Sequence, residues 1–260
     1  MRRFTSQTVA VLLATAAALG TAAGARAAST TAQYRVRFDA TWSAATHPLS
    51  FPASAHFSPL IGGTHDASVQ FWTVGGLASA GIRDMAELGR TTPLDTEVQT
   101  AINAGHAGVI IRGGGIALSP GTVSTTFSVT QQFSRATVVS MLAPSPDWFA
   151  GVSGFELLVD GEWLDRVVVP LFAYDAGTDS GTNYTSPNQV TSPAQLIALS
   201  GAPPFQDGAP VGLFTFTRID APNPSAVPAS GPWGLALLGV LLMGCGGVVV
   251  LRRRRPLATS

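Results

Sequence analysis

Apolar and polar residues alternate from Tyr34 to Trp42, with Tyr34, Val36 and Phe38 on one side and Arg35, Arg37 and Asp39 on the other. A period of two is the pattern of a half-buried strand. Ser68–Val74 reads the same way, and so does the Thr-rich run Thr122–Thr130. Gly108–Arg112 predicts a short strand broken by Gly113, Gly114 and Gly115. Ala136–Ala143, Arg166–Ala173 and Gly212–Ile219 bring the expectation to about seven or eight strands. Pro170 cannot donate to a ladder, which puts its strand at an edge or a bulge. Two stretches read as helices. Ser79 caps Ala80–Leu88, which Gly89 stops, and Thr92-Pro93 provides a cap and first-turn proline for Leu94–Asn103. Ser192–Leu199 reads as a third short helical turn. Many short strands separated by turn words, with no fixed-period repeat, predict an all-β-dominated antiparallel β-sandwich carrying two or three short helices.

The two ends carry different patterns. Residues 1–27 read as a signal peptide: Arg2 and Arg3, an apolar run from Val9 to Ala18, and the small-residue word Ala25-Arg26-Ala27. The folded body is expected over 28–220, followed by a Pro-rich linker at 221–232. Trp233–Leu251 is nineteen residues without a charge, long enough for one transmembrane helix. The Arg-rich tail 252–260 sets its cytoplasmic end, which leaves the body outside.

Composition narrows the function. The chain is 46% hydrophobic and only 12% charged, which excludes a disordered chain. All fifteen basic residues are Arg. Between Ala28 and Val227 eight Arg stand against fifteen acids, a balance of −7. An acidic body argues against nucleic-acid binding. The single cysteine, Cys245, sits in the apolar tail and permits no internal disulfide.

The candidate chemistry lies in two acidic loops. Pro144–Trp148 follows the run Ala136–Ala143 and carries Asp147. Asp175–Gly181 follows Val167–Ala173 and carries Asp175 and Asp179, with Gly177 between them to let the loop fold back. Three carboxylates from two loops at strand ends suit a hard divalent cation such as Ca2+, which tolerates irregular oxygen coordination. The same residue types also cap turns with no metal involved. Other chemistry is weaker. His47, His56, His65 and His106 have no helix-borne metal spacing and read as loop hydrogen-bonding groups. Gly151-Val-Ser-Gly154 places its second glycine one position early for a nucleophile elbow, and Gly113–Gly115 lacks the surrounding phosphate-binding words. The expectation is a protein that is not an enzyme and has no catalytic residues. Trp42, Phe71, Trp72, Trp148, Phe155 and Trp163 read as core filling, or as a carbohydrate or protein patch.

The words along the body resemble the spondin N-terminal domain of F-spondin type. They include Tyr34–Phe38, Thr46-His47-Pro48, Ala55–His65, Met85–Gly89, Pro144–Trp148, Asp175–Gly181 and Tyr184–Asn188, in order. The resemblance implies a secreted β-sandwich with one Ca2+ held by Asp147, Asp175 and Asp179. It further implies calcium-supported adhesion or recognition at a cell surface or matrix, with an extracellular protein or glycan as partner. An envelope hydrolase and a structural coat protein are the alternatives. Val227-Pro228, the apolar helix and Arg252–Arg255 resemble a bacterial sorting tail of the PEP-CTERM kind, although the expected Pro-Glu-Pro is absent. The protein is therefore expected to be exported, then either anchored by its tail or released to the envelope surface after tail processing.

Overall fold

The computed structural model describes residues 29–220 except 202, 206 and 207. The expected signal peptide, linker, transmembrane helix and cytoplasmic tail lie outside these residues. Among the described residues no helix is long and apolar enough to cross a membrane.

The fold is β-dominated, with thirteen strands and two helices among the described residues. In chain order they are β1 (Thr31–Ala40), β2 (His56–Phe57), β3 (Ile61–His65), α1 (Ala80–Leu88), α2 (Leu94–Asn103), β4 (Ala107–Arg112) and β5 (Gly121–Thr130). There follow β6 (Arg135–Ala143), β7 (Trp148–Glu156), β8 (Leu158–Val159), β9 (Glu162–Trp163), β10 (Arg166–Leu171), β11 (Tyr174–Asp175), β12 (Ala198–Leu199) and β13 (Gly212–Arg218). All ladders between named strands are antiparallel. One sheet runs β10-β13-β1-β5, and a larger one runs β12-β11-β7-β6-β3-β4 with β2 also on β6.

The alternation in β1 is realised as written: Tyr34, Val36 and Phe38 are fully buried while Arg35 and Arg37 are exposed. These inward residues, with Phe214 and Phe216 of β13, share one core with Val138 and Leu142 of β6 and Ala150 and Val152 of β7. A second core covers the other face of the larger sheet. There Ile61, Val139 and Phe149 meet Ile82 and Met85 of α1 and Leu94 and Val98 of α2. Strand β6 is thus covered on both faces, which is why it reads as a continuous apolar run rather than an alternation. Pro170 lies in β10, an edge strand, as its missing N–H requires.

Helix α1 forms as expected. Ser79 Oγ accepts from Ile82 N at 3.1 Å, and Gly89 ends the helix in the left-handed conformation. An unforeseen second cap comes from α2: Glu97 accepts from Gly81 N and from the Ser79 hydroxyl, both at 2.7 Å. A carboxylate there satisfies an unpaired amide and complements the helix dipole. Glu97→Ala should cost about 1–2 kcal/mol by the usual value of a helix cap with a charged acceptor. Urea unfolding checks this, as a lower midpoint at unchanged slope.

Several expectations are corrected. Ser68–Val74 is irregular rather than a strand, because Phe71 and Trp72 both turn into the second core, which a strict alternation forbids to neighbours. Ser192–Leu199 is not helical; Leu196 bridges Leu77 and Ala198–Leu199 pairs with β11. Thr92 does not cap α2: its hydroxyl bonds Asp95 Oδ2, and the helix starts after Pro93 with no side-chain cap. Strands β3 and β7 were not anticipated. Their glycines hide the pattern, yet both flank β6 at the centre of the larger sheet.

Candidate functional site

The two acidic loops meet at one end of the larger sheet. The β6–β7 connection spans residues 144–147, and Ser145 shapes it by donating to Leu142 O at 2.5 Å and accepting from Trp148 N at 3.1 Å. Asp147 therefore sits immediately before β7. Strand β11 pairs with the start of β7 in the register Asp175↔Trp148 and Tyr174↔Phe149, which sets Asp175 beside the first loop.

Asp147 is fully buried. Its Oδ2 accepts from Thr178 N at 2.7 Å, Asp179 N at 3.1 Å and the Thr178 hydroxyl at 3.2 Å. The side chain of the first loop is thus held by the backbone of the second. Its Oδ1 is buried and has no hydrogen-bond partner. Burial, and after it the nearby Asp175 charge, push the Asp147 carboxyl up to about 6, against the amides of Thr178 and Asp179 that favour the ionised form.

The other two carboxylates are also turn builders. Asp175 Oδ1 accepts from Gly177 N at 2.8 Å and Oδ2 from the Trp148 indole N–H at 3.3 Å. Asp179 Oδ1 accepts from Gly181 N at 2.8 Å and Oδ2 from Gln189 N at 3.2 Å. Gly177 is fixed by two constraints: its φ is +74°, and a Cβ there would meet Gln195 O at 2.4 Å. Asp175 and Asp179 together line a cavity of about 220 Å3 with Trp148, Ser180, Thr182 and Ser200.

The three predicted aspartates are therefore neighbours, tied through shared backbone. Among the described residues, however, no three His, Cys, Asp or Glu side chains form a ready-made metal-holding group. The loops realise the turn-capping use of Asp, one of the two that the sequence left open. Every carboxylate oxygen except Asp147 Oδ1 serves a turn or a neighbouring donor. The residues fit a hard cation in one respect, since a buried carboxylate keeps an unpartnered oxygen beside a second acidic group.

All four histidines are hydrogen-bonded. Buried His65 faces Asp66 O at 2.8 Å through Nδ1 and the Thr137 hydroxyl at 2.8 Å through Nε2, and Thr137 Oγ1 accepts from Gly154 N. Nδ1 must donate to the carbonyl, and burial, which lowers the pKa, favours the neutral ring, in which Nε2 accepts from the Thr137 hydroxyl. His47 lies against Ala209 O and Thr46 Oγ1, and His56 against Ser54 O. Trp148 is core rather than a patch: it packs edge-on against Tyr184 and Phe205.

Comparison with known proteins places the body. Residues 32–205 match the family model Spondin_N. The chain is 36% identical to mouse (Mus musculus) Spondin-1 over 173 residues, covering 64% of this chain and 21% of that protein. It is 31% identical to human Spondin-2 over 227 residues, covering 84% of this chain and 67% of that protein. The chain thus spans about a fifth of the length of the Spondin-1 proteins it matches.

Proposed function

Because the chain belongs to the Spondin_N family, we propose that it is an exported, non-enzymatic recognition module of the cell surface or matrix, stiffened by one structural Ca2+. Asp147, Asp175 and Asp179 would hold the ion, with loop carbonyls completing an oxygen shell. The ion supplies positive charge where two loops crowd negative groups, and it does no covalent chemistry. The two sheets, read as a β-sandwich around their shared core, then present a fixed loop surface to an extracellular protein or glycan. Export rests on residues 1–27, and anchoring or sorting on 233–260. Both belong to this proposal.

One atom carries the metal reading. Asp147 Oδ1 is buried without a partner, and an orphaned buried carboxylate oxygen asks for a donor or a cation. The Asp147→Asn substitution tests it. In wild type, saturating calcium should raise stability by about 2.7 kcal/mol at a hundredfold excess over Kd. Asn at this position keeps one oxygen to accept from Thr178 N and removes the charge. The variant should therefore lose the calcium response while its chelated form melts no lower than wild type. A calcium-induced rise of equal size in both proteins, or none in wild type, would refute the site.

A further inference from the structure

Eight arginines lie among the described residues. Six of them have a carboxylate within 4.0 Å: Arg37, Arg83, Arg90, Arg112, Arg135 and Arg218. The side chains of the remaining two, Arg35 and Arg166, make neither an ion pair nor a hydrogen bond with described residues. Both are exposed, and both fall on one row of one sheet face. Arg35 of β1 and Arg166 of β10 stand opposite the same residue, Thr217 of β13, from its two sides. Neighbouring strands lie about 4.8 Å apart, so the two backbones are about 10 Å apart. Arg37, two residues along β1, is a third arginine on the same face, its backbone about 7 Å from that of Arg35.

The surroundings are equally ordered. The outward neighbours of Arg35 and Arg37 are hydroxyls: Thr126 and Ser124 on β5, and Thr217 and Thr215 on β13. An arginine inside a sheet ordinarily gains from an acid directly across the strand. Here the cross-strand partners are neutral, Asp39 is taken by Arg37 at 2.7 Å, and exposed Asp165, next to Arg166 in the chain, makes no ion pair within 4.0 Å with it. A shallow trough of about 440 Å3 runs between Arg35, Arg37, Thr122 and Ser124. The face thus offers two exposed guanidinium groups, free of side-chain partners and set among hydroxyls, to an anionic ligand.

We infer that the outward face of the β10-β13-β1-β5 sheet binds a polyanionic polysaccharide, with Arg35 and Arg166 gripping successive carboxylate or sulfate groups. The planar guanidinium matches both anions with paired N–H donors. The rows of Ser and Thr supply donors and acceptors for sugar hydroxyls between the charges. No aromatic side chain lies on this face to stack a base, which sets a glycan apart from a nucleic acid. The face is separate from the aspartate loops, so this inference does not depend on calcium.

The test uses the full chain in mild detergent on immobilised polygalacturonate and dextran sulfate, with neutral dextran and duplex DNA as controls. Wild type should be retained by at least one polyanionic glycan, with salt-sensitive affinity, and pass through neutral dextran. The Arg35→Ala/Arg166→Ala double variant should bind at least tenfold more weakly while melting at the wild-type temperature. Loss confined to the polygalacturonate arm assigns the carboxylate source, and loss confined to dextran sulfate the sulfate source. Undiminished binding by the double variant, no retention of wild type, or equal affinity for DNA or neutral dextran would overturn the proposal. Retention that vanishes with chelator, or in Asp147→Asn, would move the ligand to the loops and overturn it as well.

Discussion

Stripped of divalent ions, Asp147 should contribute more stability as the pH falls from 7 to 4, and calcium should reverse that slope. The cause is Asp147, whose carboxyl burial and Asp175 push up to about 6 from an ordinary 3.8. A raised pKa means that the folded state holds its proton more tightly than the unfolded chain does. Its stabilising contribution is therefore complete below about pH 4 and lost as pH rises through 6. A shift of about two units corresponds to about 3 kcal/mol. With calcium bound, the ionised form is the favoured one, so stability is present at neutral pH and lost on acidification. Buried His65 acts in the same window with the opposite sign, because burial lowers its pKa from the ordinary 6.5 and its neutral form resists acid. The measurement is accordingly a difference: urea midpoints of wild type minus those of Asp147→Asn, at several pH values, with calcium and with chelator. If the difference is flat in chelator, Asp147 does not carry the stored charge described here.

The second large effect is a single methyl group. Gly62 of β3 stands opposite Val138 of β6, and a Cβ at this position would come within 1.9 Å of the Thr137 carbonyl oxygen. That oxygen belongs to the backbone of the most covered strand, so no side chain can swing away to make room. Gly62→Ala should cost more than about 4 kcal/mol, at the extreme end of single substitutions. Against a total stability of roughly 5–15 kcal/mol, much of the variant should be unfolded or insoluble. Gly201→Ala is the control: nothing lies within 4 Å of its added Cβ, and the cost should stay within about 0.5 kcal/mol. Soluble yield, and the urea midpoint of whatever folds, distinguish the two. Equal behaviour would show that β3 and β6 can separate without penalty.

The same glycines mark where the sequence stopped being legible. Strand β1 was plain because one face meets core and the other water, so its period of two survives in the residues. Strands β3 and β7 are covered on both faces and built partly from glycine, which leaves no alternation to read. Ser68–Val74 failed in the opposite way. Its alternating look came from aromatic residues that anchor an irregular loop. At the site, all three aspartates were legible from turn words and resemblance. Their hydrogen-bonded roles were not, because Asp147 Oδ2 finds its donors 31 and 32 residues ahead. The Glu97 cap was hidden for the same reason, since nothing local to α1 announces a carboxylate from the next helix. The unpaired arginines needed the strand register, which places Arg166 and Arg35 either side of Thr217.

The span from Asp147 to its donors also fixes the order of events as the chain is made. A nascent chain presents Asp147 long before Thr178 and Asp179 arrive, and until then its carboxylate is an ordinary solvated acid. Whatever compartment the chain crosses while still threaded and extended, the loops have nothing to offer an ion there. Under the proposed calcium reading, occupancy would begin only where folding ends.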